Sequence, residues 1–273
     1  MSERADAVAQ LLREAAAALV LPRFRHLQPG DIESKGDKGG VEDLVTVVDR
    51  EVERFLTDRL HALLPAPVIG EEATHRDAAV LSALDTDGWV WLVDPIDGTR
   101  RFAEGDDRFG LMVALVRDGE TVGAWILLPA RETMLVAERG SGTRLNGERV
   151  HVAAAPATTV PMPPRGMLVS RFMPEAMRAT ALRRAGQTLR ETPISGCAAV
   201  DYTAVLQGEL DFMVYYRLLP WDHAAPALML TEAGGLVEHA SGRPYSPRAT
   251  HQPTIACRTH AVCDLVARCF APS

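Results

Sequence analysis

The 273-residue chain predicts a mixed α/β (α+β) protein built from two intimately packed halves. Three observations carry this. Amphipathic helical stretches alternate with short apolar strands along the whole chain. "GWVWLVDP" is an unbroken apolar run of the kind buried on both faces of a sheet. "FGLMVALVRDGETVGAWILLP" reads as two strands joined at Asp118-Gly119, a strong hairpin signal.

The elements follow in order. Ser2–Leu19 reads as a helix with Val8, Leu11, Leu12, Ala15, Ala16 and Leu19 on one face, and Pro22 follows its end. "QPGDIESKGDKGGVED" reads as a mobile loop, either a surface excursion or a flap over a site. Asp49–Leu64 forms a second helix, with Thr46-x-x-Asp49 fitting a capping box. "PVIGEE" is a short strand stopping at carboxylates, and "TMLVAER" a further strand. Asn146-Gly147 marks another hairpin, and the glycines around it match no phosphate-binding loop. The Pro- and Ala-rich stretch "AAAPATTVPMPPRG" places a boundary near residue 155, dividing the chain into 1–155 and 156–273. Beyond it come strand, helix, helix, strand, the helix "WDHAAPALMLTEAGG" closed by Gly234-Gly235, a strand, and a final helix.

Composition removes several functions. The formal net charge of −7, with no basic face, argues against a nucleic-acid binder. The longest apolar runs are too short to span a bilayer, and the N-terminus lacks a signal-peptide pattern, so a cytoplasmic protein is expected. The four cysteines form no CxxC pair and read as free, buried thiols. His223 reads as a solvated or capping histidine.

Acids recur where strands stop or helices start: Asp49, Glu71-Glu72, Asp94 with Asp97, and Asp222. Taken singly, Asp49 and Asp222 suit helix caps, and Glu71 and Glu72 suit a solvated strand end. Asp94 and Asp97 are harder to explain that way. Proline between them and Gly98 after them allow one tight bend at the end of a buried strand, from which both carboxylates and the Ile96 carbonyl project. An all-oxygen cluster suits a hard cation, Mg²⁺ above all. The Gly98 and Thr99 amides, opening a short helix, form an anion seat beside it.

"DPIDGTRRFAEG" resembles the DPxDGTxNFxxG signature of the inositol monophosphatase family. "EDLVTVVD", "GEE" and "WDHAAPALMLTEAGG" are similar to its other motifs, in the expected order. The resemblance covers nearly the whole chain. It implies a layered αβαβα sandwich of the inositol monophosphatase and fructose-1,6-bisphosphatase type, and Mg²⁺-dependent hydrolysis of a small phosphorylated metabolite using two or three ions. It also implies roles. Glu71, Asp94 and the Ile96 carbonyl hold one metal, and Asp94, Asp97 and Asp222 a second. Glu72 shapes the nearby water shell, and Asp49 and Thr99 orient and activate the attacking water. The Gly98 and Thr99 amides contact phosphate.

Two departures bear on the substrate. Arg101 replaces the Asn of the signature, and Arg217 stands where a substrate-contacting glutamate is expected. If these face the pocket, the substrate carries a second anionic group, as in sugar bisphosphates, 3′-phosphoadenosine phosphates, NADP or histidinol phosphate; Arg100 reads as a surface residue. A non-catalytic metal- or phosphometabolite-binding relative is the reading from another class. Relatives are commonly homodimers, and the apolar strands over 109–128 offer a surface for one.

Overall fold

Two large sheets, held between three layers of helices, bring the acids together. A computed structural model describes residues 2–37, 40–152 and 163–271. The first half contains α1 (Glu3–Ala15), β1 (Ile32–Asp37), β2 (Glu42–Thr46), α2 (Val47–Leu63), β3 (Val68–Gly70), α3 (Glu71–Arg76), β4 (Trp89–Asp97) and α4 (Thr99–Ala103). It continues through β5 (Gly110–Arg117), β6 (Glu120–Leu128), β7 (Thr133–Glu138), β8 (Gly142–Leu145) and β9 (Glu148–Val150). The second half contains β10 (Arg165–Leu168), α5 (Glu175–Thr188), β11 (Arg190–Glu191), α6 (Ala198–Gln207), β12 (Phe212–Arg217), α7 (Pro220–Glu232), β13 (Leu236–His239), β14 (His251–Cys257) and α8 (His260–Ala267).

The large sheet runs β3-β4-β5-β6-β7-β8-β9, and the smaller one β11-β10-β12-β14-β13. Strand alternation sorts the side chains into layers. Trp91, Val93, Leu111, Val113 and Trp125 face α1 and α2 in one core. Val90, Leu92, Met112, Ala114 and Ile126 face the other way, onto α6 and α7, and meet Met167, Met213 and Ala256 of the second sheet. Leu168, Phe212, Val214 and Ile255 close a third core with α5 and α8. The order is helix, sheet, helix, sheet, helix, as the resemblance implies.

Several expectations change. The segment 28–43 is not a loop throughout: β1 and β2 form an antiparallel hairpin with Ile32 opposite Thr46. The first α-helix ends at Ala15 and continues as a wider π turn to Val20. Cys257 and Cys263 are bonded, with Cα atoms 5.8 Å apart where β14 turns into α8. The absence of CxxC spacing did not preclude this, because a strand-to-helix turn brings residues six apart within disulfide reach. Cys197 and Cys269 are free and buried, as expected. No helix among the described residues is long and apolar enough to cross a membrane. The apolar side chains of the strands over 109–128 are buried within the chain on both faces of the sheet. The boundary expected near residue 155 lies outside the described residues.

Candidate active site

β4 supplies the centre. Asp94 lies opposite Met112 of β5 and Asp97 opposite Gly110, so three steps on one strand match two on the other. In a regular strand residues three apart point to opposite faces. The extra residue turns Asp97 to the side of Asp94, and both line one cavity of about 370 Å³. Gly98 takes a left-handed conformation (φ 81°) and caps α4. A Cβ there would lie 2.8 Å from the Arg108 carbonyl, so the turn requires glycine.

The other acids arrive on separate elements. Glu71 follows β3 at the start of α3, and Asp222 lies in the first turn of α7, three residues after its N-cap Leu219. The capping reading of Asp222 therefore gives way: its side chain faces the cavity, as does that of Glu71. Burial raises the pKa of Asp94, Asp97 and Asp222; neighbouring carboxylates, Glu71 among them, add to it for Asp94 and Asp222, while hydrogen bonds to the Asp97 carboxylate offset part of it there. Asp97 Oδ2 accepts from the Ala199 amide at 2.6 Å and the Cys197 thiol at 3.1 Å.

Asp49 caps α2 as predicted. Its Oδ2 accepts from the Thr46 amide at 2.8 Å and the Thr46 hydroxyl at 2.6 Å. Its other oxygen reaches the site: Thr99 Oγ1 lies 3.1 Å from Asp49 Oδ1 and 2.9 Å from the Ile96 carbonyl. Burial lifts Asp49 to about 7.

Glu71 and Glu72 do not simply face water. Lys35, on β1, places Nζ 2.8 Å from Glu71 Oε1 and 2.7 Å from Glu72 Oε1, with its side chain almost fully covered. Burial works against that charge, but the two carboxylates outweigh it and raise the ammonium pKa. Beneath them Glu53 Oε2 and Oε1 accept from the Glu72 and Ala73 amides at 2.7 and 2.9 Å, satisfying the open end of α3. A Cβ on Gly70 would overlap the Glu53 carboxylate, which explains the glycine of "GEE".

Sequence reasoning missed Lys35 and Glu53. Glu53 had a signal: it lies four residues after Asp49, on the same face of α2. His223 is fully buried, not solvated or capping, with Nδ1 3.3 Å from the Tyr202 hydroxyl. Of the arginines, Arg101 lines the cavity, but its Nε donates to the Ser195 carbonyl at 2.7 Å and its Nη1 lies 3.2 Å from Glu104. Arg100 lines the cavity too, while its Nη2 donates to the Glu42 carbonyl at 2.6 Å. Arg217 lines the opposite wall at the end of β12.

The donor set fits a hard divalent cation. Asp94 Oδ1 is buried with no hydrogen-bond partner, and its neighbours are carboxylates without a histidine. Among the described residues no group of three or more histidine, cysteine, aspartate or glutamate side chains stands placed to hold a metal ion as it is. The inositol monophosphatase family pattern matches residues 1–268. The chain belongs to the inositol monophosphatase family. It is 30% identical over 241 residues to a Thermotoga maritima fructose-1,6-bisphosphatase/inositol-1-monophosphatase, covering 88% of this chain and 86% of that one. It is 33% identical over 247 residues to a Mycobacterium bovis inositol-1-monophosphatase, covering 86% and 83%. The solved structure of a Thermotoga maritima inositol monophosphatase superposes with a TM-score of 0.77 at 28% identity, covering 98% of each chain. Membership in this family makes the chain a phosphoric monoester hydrolase.

Proposed function

We propose that this inositol monophosphatase relative hydrolyses a small phosphorylated metabolite with Mg²⁺, by direct attack of water and without a phosphoenzyme. One observation carries the reading: Asp94 and Asp97 from β4, Glu71 from α3 and Asp222 from α7, three separate elements, line a single cavity beside the Thr99–Asp49 hydrogen bond.

Glu71, Asp94 and the Ile96 carbonyl would hold one ion, and Asp94, Asp97 and Asp222 a second. Bound there, Mg²⁺ would neutralise phosphate charge and acidify water. The chain's own residues do the rest. Thr99 Oγ1 orients the attacking water and passes a proton toward Asp49 Oδ1. Asp49, lifted to about 7, has the basicity to receive it near neutrality. Thr46 holds the other Asp49 oxygen and fixes its direction. The Gly98 and Thr99 amides, at the start of α4, seat the phosphoryl oxygens. Glu72, anchored through its amide to Glu53, orders water beside Glu71.

Every acid the resemblance requires is present, which favours catalysis over a binding-only relative. Phosphate release should be assayed with and without Mg²⁺ on inositol 1-phosphate, a sugar bisphosphate, histidinol phosphate, 3′-phosphoadenosine 5′-phosphate and NADP. Magnesium-dependent release from at least one, abolished in Asp97→Asn, is the expected result. Release by Asp97→Asn at the parent rate would show the metal assignment to be wrong.

A further inference from the structure

The wall of the cavity facing the acids carries charge of the opposite sign. Arg171 follows β10, and Arg217 ends β12, its parallel neighbour in the five-stranded sheet. Both guanidinium groups rest on one ring: Cζ of Arg217 lies 4.1 Å, and Cζ of Arg171 4.7 Å, from the centroid of Phe172. All three residues line the cavity with Asp94, Asp97 and Asp222.

The pairing of these arginines is what sets them apart. Arg100 and Arg101 give their guanidinium N–H groups to protein carbonyls. Among the described residues, the guanidinium group of neither Arg171 nor Arg217 has a hydrogen bond or a carboxylate within ion-pair distance. Asp43 and Asp222 act on them only through space. Burial and the nearby Arg217 charge lower the Arg171 pKa, the mark of two like charges held close. A phenyl ring within cation–π reach of both groups helps to position them, and neither guanidinium spends its N–H groups on the protein. Side chains arranged this way bind a planar or tetrahedral oxyanion.

We infer that Arg171, Phe172 and Arg217 form a seat for a second anionic group, so that the substrate is a phosphate monoester carrying another phosphate or a carboxylate. The inference rests on the phosphatase reading and deepens it. The scissile phosphoryl group sits against the large sheet, and the second anion against the small one. Sequence inspection pointed to Arg101 and Arg217; the structure replaces Arg101 with Arg171 in this pair.

The test compares glycerol 2-phosphate, which has no second anion, with fructose 1,6-bisphosphate and 3-phosphoglycerate, which carry a phosphate and a carboxylate. The parent protein should prefer one of the doubly anionic compounds, and which one it prefers identifies the second group. In Arg171→Gln/Arg217→Gln the preference, as a ratio of kcat/KM values, should fall about 10- to 100-fold, the scale of hydrogen bonds to charged groups, chiefly through KM. Lysine at both positions should restore part of it. An unchanged ratio, or no preference in the parent, overturns the inference while leaving the phosphatase reading intact. If no ester turns over, that reading fails. The seat is then judged by calorimetric binding of fructose 1,6-bisphosphate and 3-phosphoglycerate in EDTA: loss of binding in the double variant supports it, and unchanged or absent binding refutes it.

Discussion

Thr99 and Asp49, fifty residues apart, meet at 3.1 Å between the hydroxyl and a carboxylate that also caps a helix. Asp49→Asn keeps an oxygen for the Thr46 amide but cannot receive a proton. We predict a fall in kcat of about 10²- to 10⁴-fold, the usual worth of a positioned base, with KM changed little. Thr99→Ala should fall comparably, and the double variant should be scarcely worse than either single one. Additive losses in steady-state kinetics would show that the two do not act as a unit.

Lys35 gives a second prediction. Its ammonium bridges Glu71 and Glu72, one of which is assigned to metal. Lys35→Gln leaves two covered carboxylates facing each other. Breaking such a pair costs about 3 kcal/mol at the lower end of the usual range, or on the order of 5–10 °C in the metal-free melting temperature. Added Mg²⁺ should recover more of the loss than it adds to the parent, because no tethered cation competes for Glu71. A Mg²⁺-induced rise smaller than the parent's would mean that Lys35 helps metal to bind.

The third prediction concerns pH. Burial raises Asp49, Glu53 and Asp201 to about 7 each, and raises Asp94, Asp97 and Asp222 as well. Carboxyls in an unfolded chain titrate near 4. Between about 4 and 7 the folded state therefore binds more protons than the unfolded one, and stability falls as pH rises through that window. The metal-free protein should melt several degrees lower at pH 8 than at pH 5.5. Mg²⁺ should narrow the gap by compensating the ionised acids. A melting temperature that rises with pH in EDTA would contradict the burial of these groups.

Much of this was legible in the chain. Asp118-Gly119 and Asn146-Gly147 marked their hairpins because type-specific turns depend on local residues. The apolar run before Asp94 marked the central strand for the same local reason. Lys35 was not legible, since its Gly-rich surroundings carry no period, and only pairing with β2 makes a strand of them. Arg171 was hidden because its neighbour in space, Arg217, lies forty-six positions away. The Cys257–Cys263 bond depended on where β14 ends and α8 begins, which no spacing rule encodes.

The middle layer has a consequence for how such a gene could be divided. Leu92 and Ile126 interlock there with Met213 and Ala256 across α6 and α7, so each half supplies one wall of the same apolar interior. Two polypeptides cut between the halves would each display a bare greasy surface. They would need to find one another before either could gather Asp94 and Asp222 into one place.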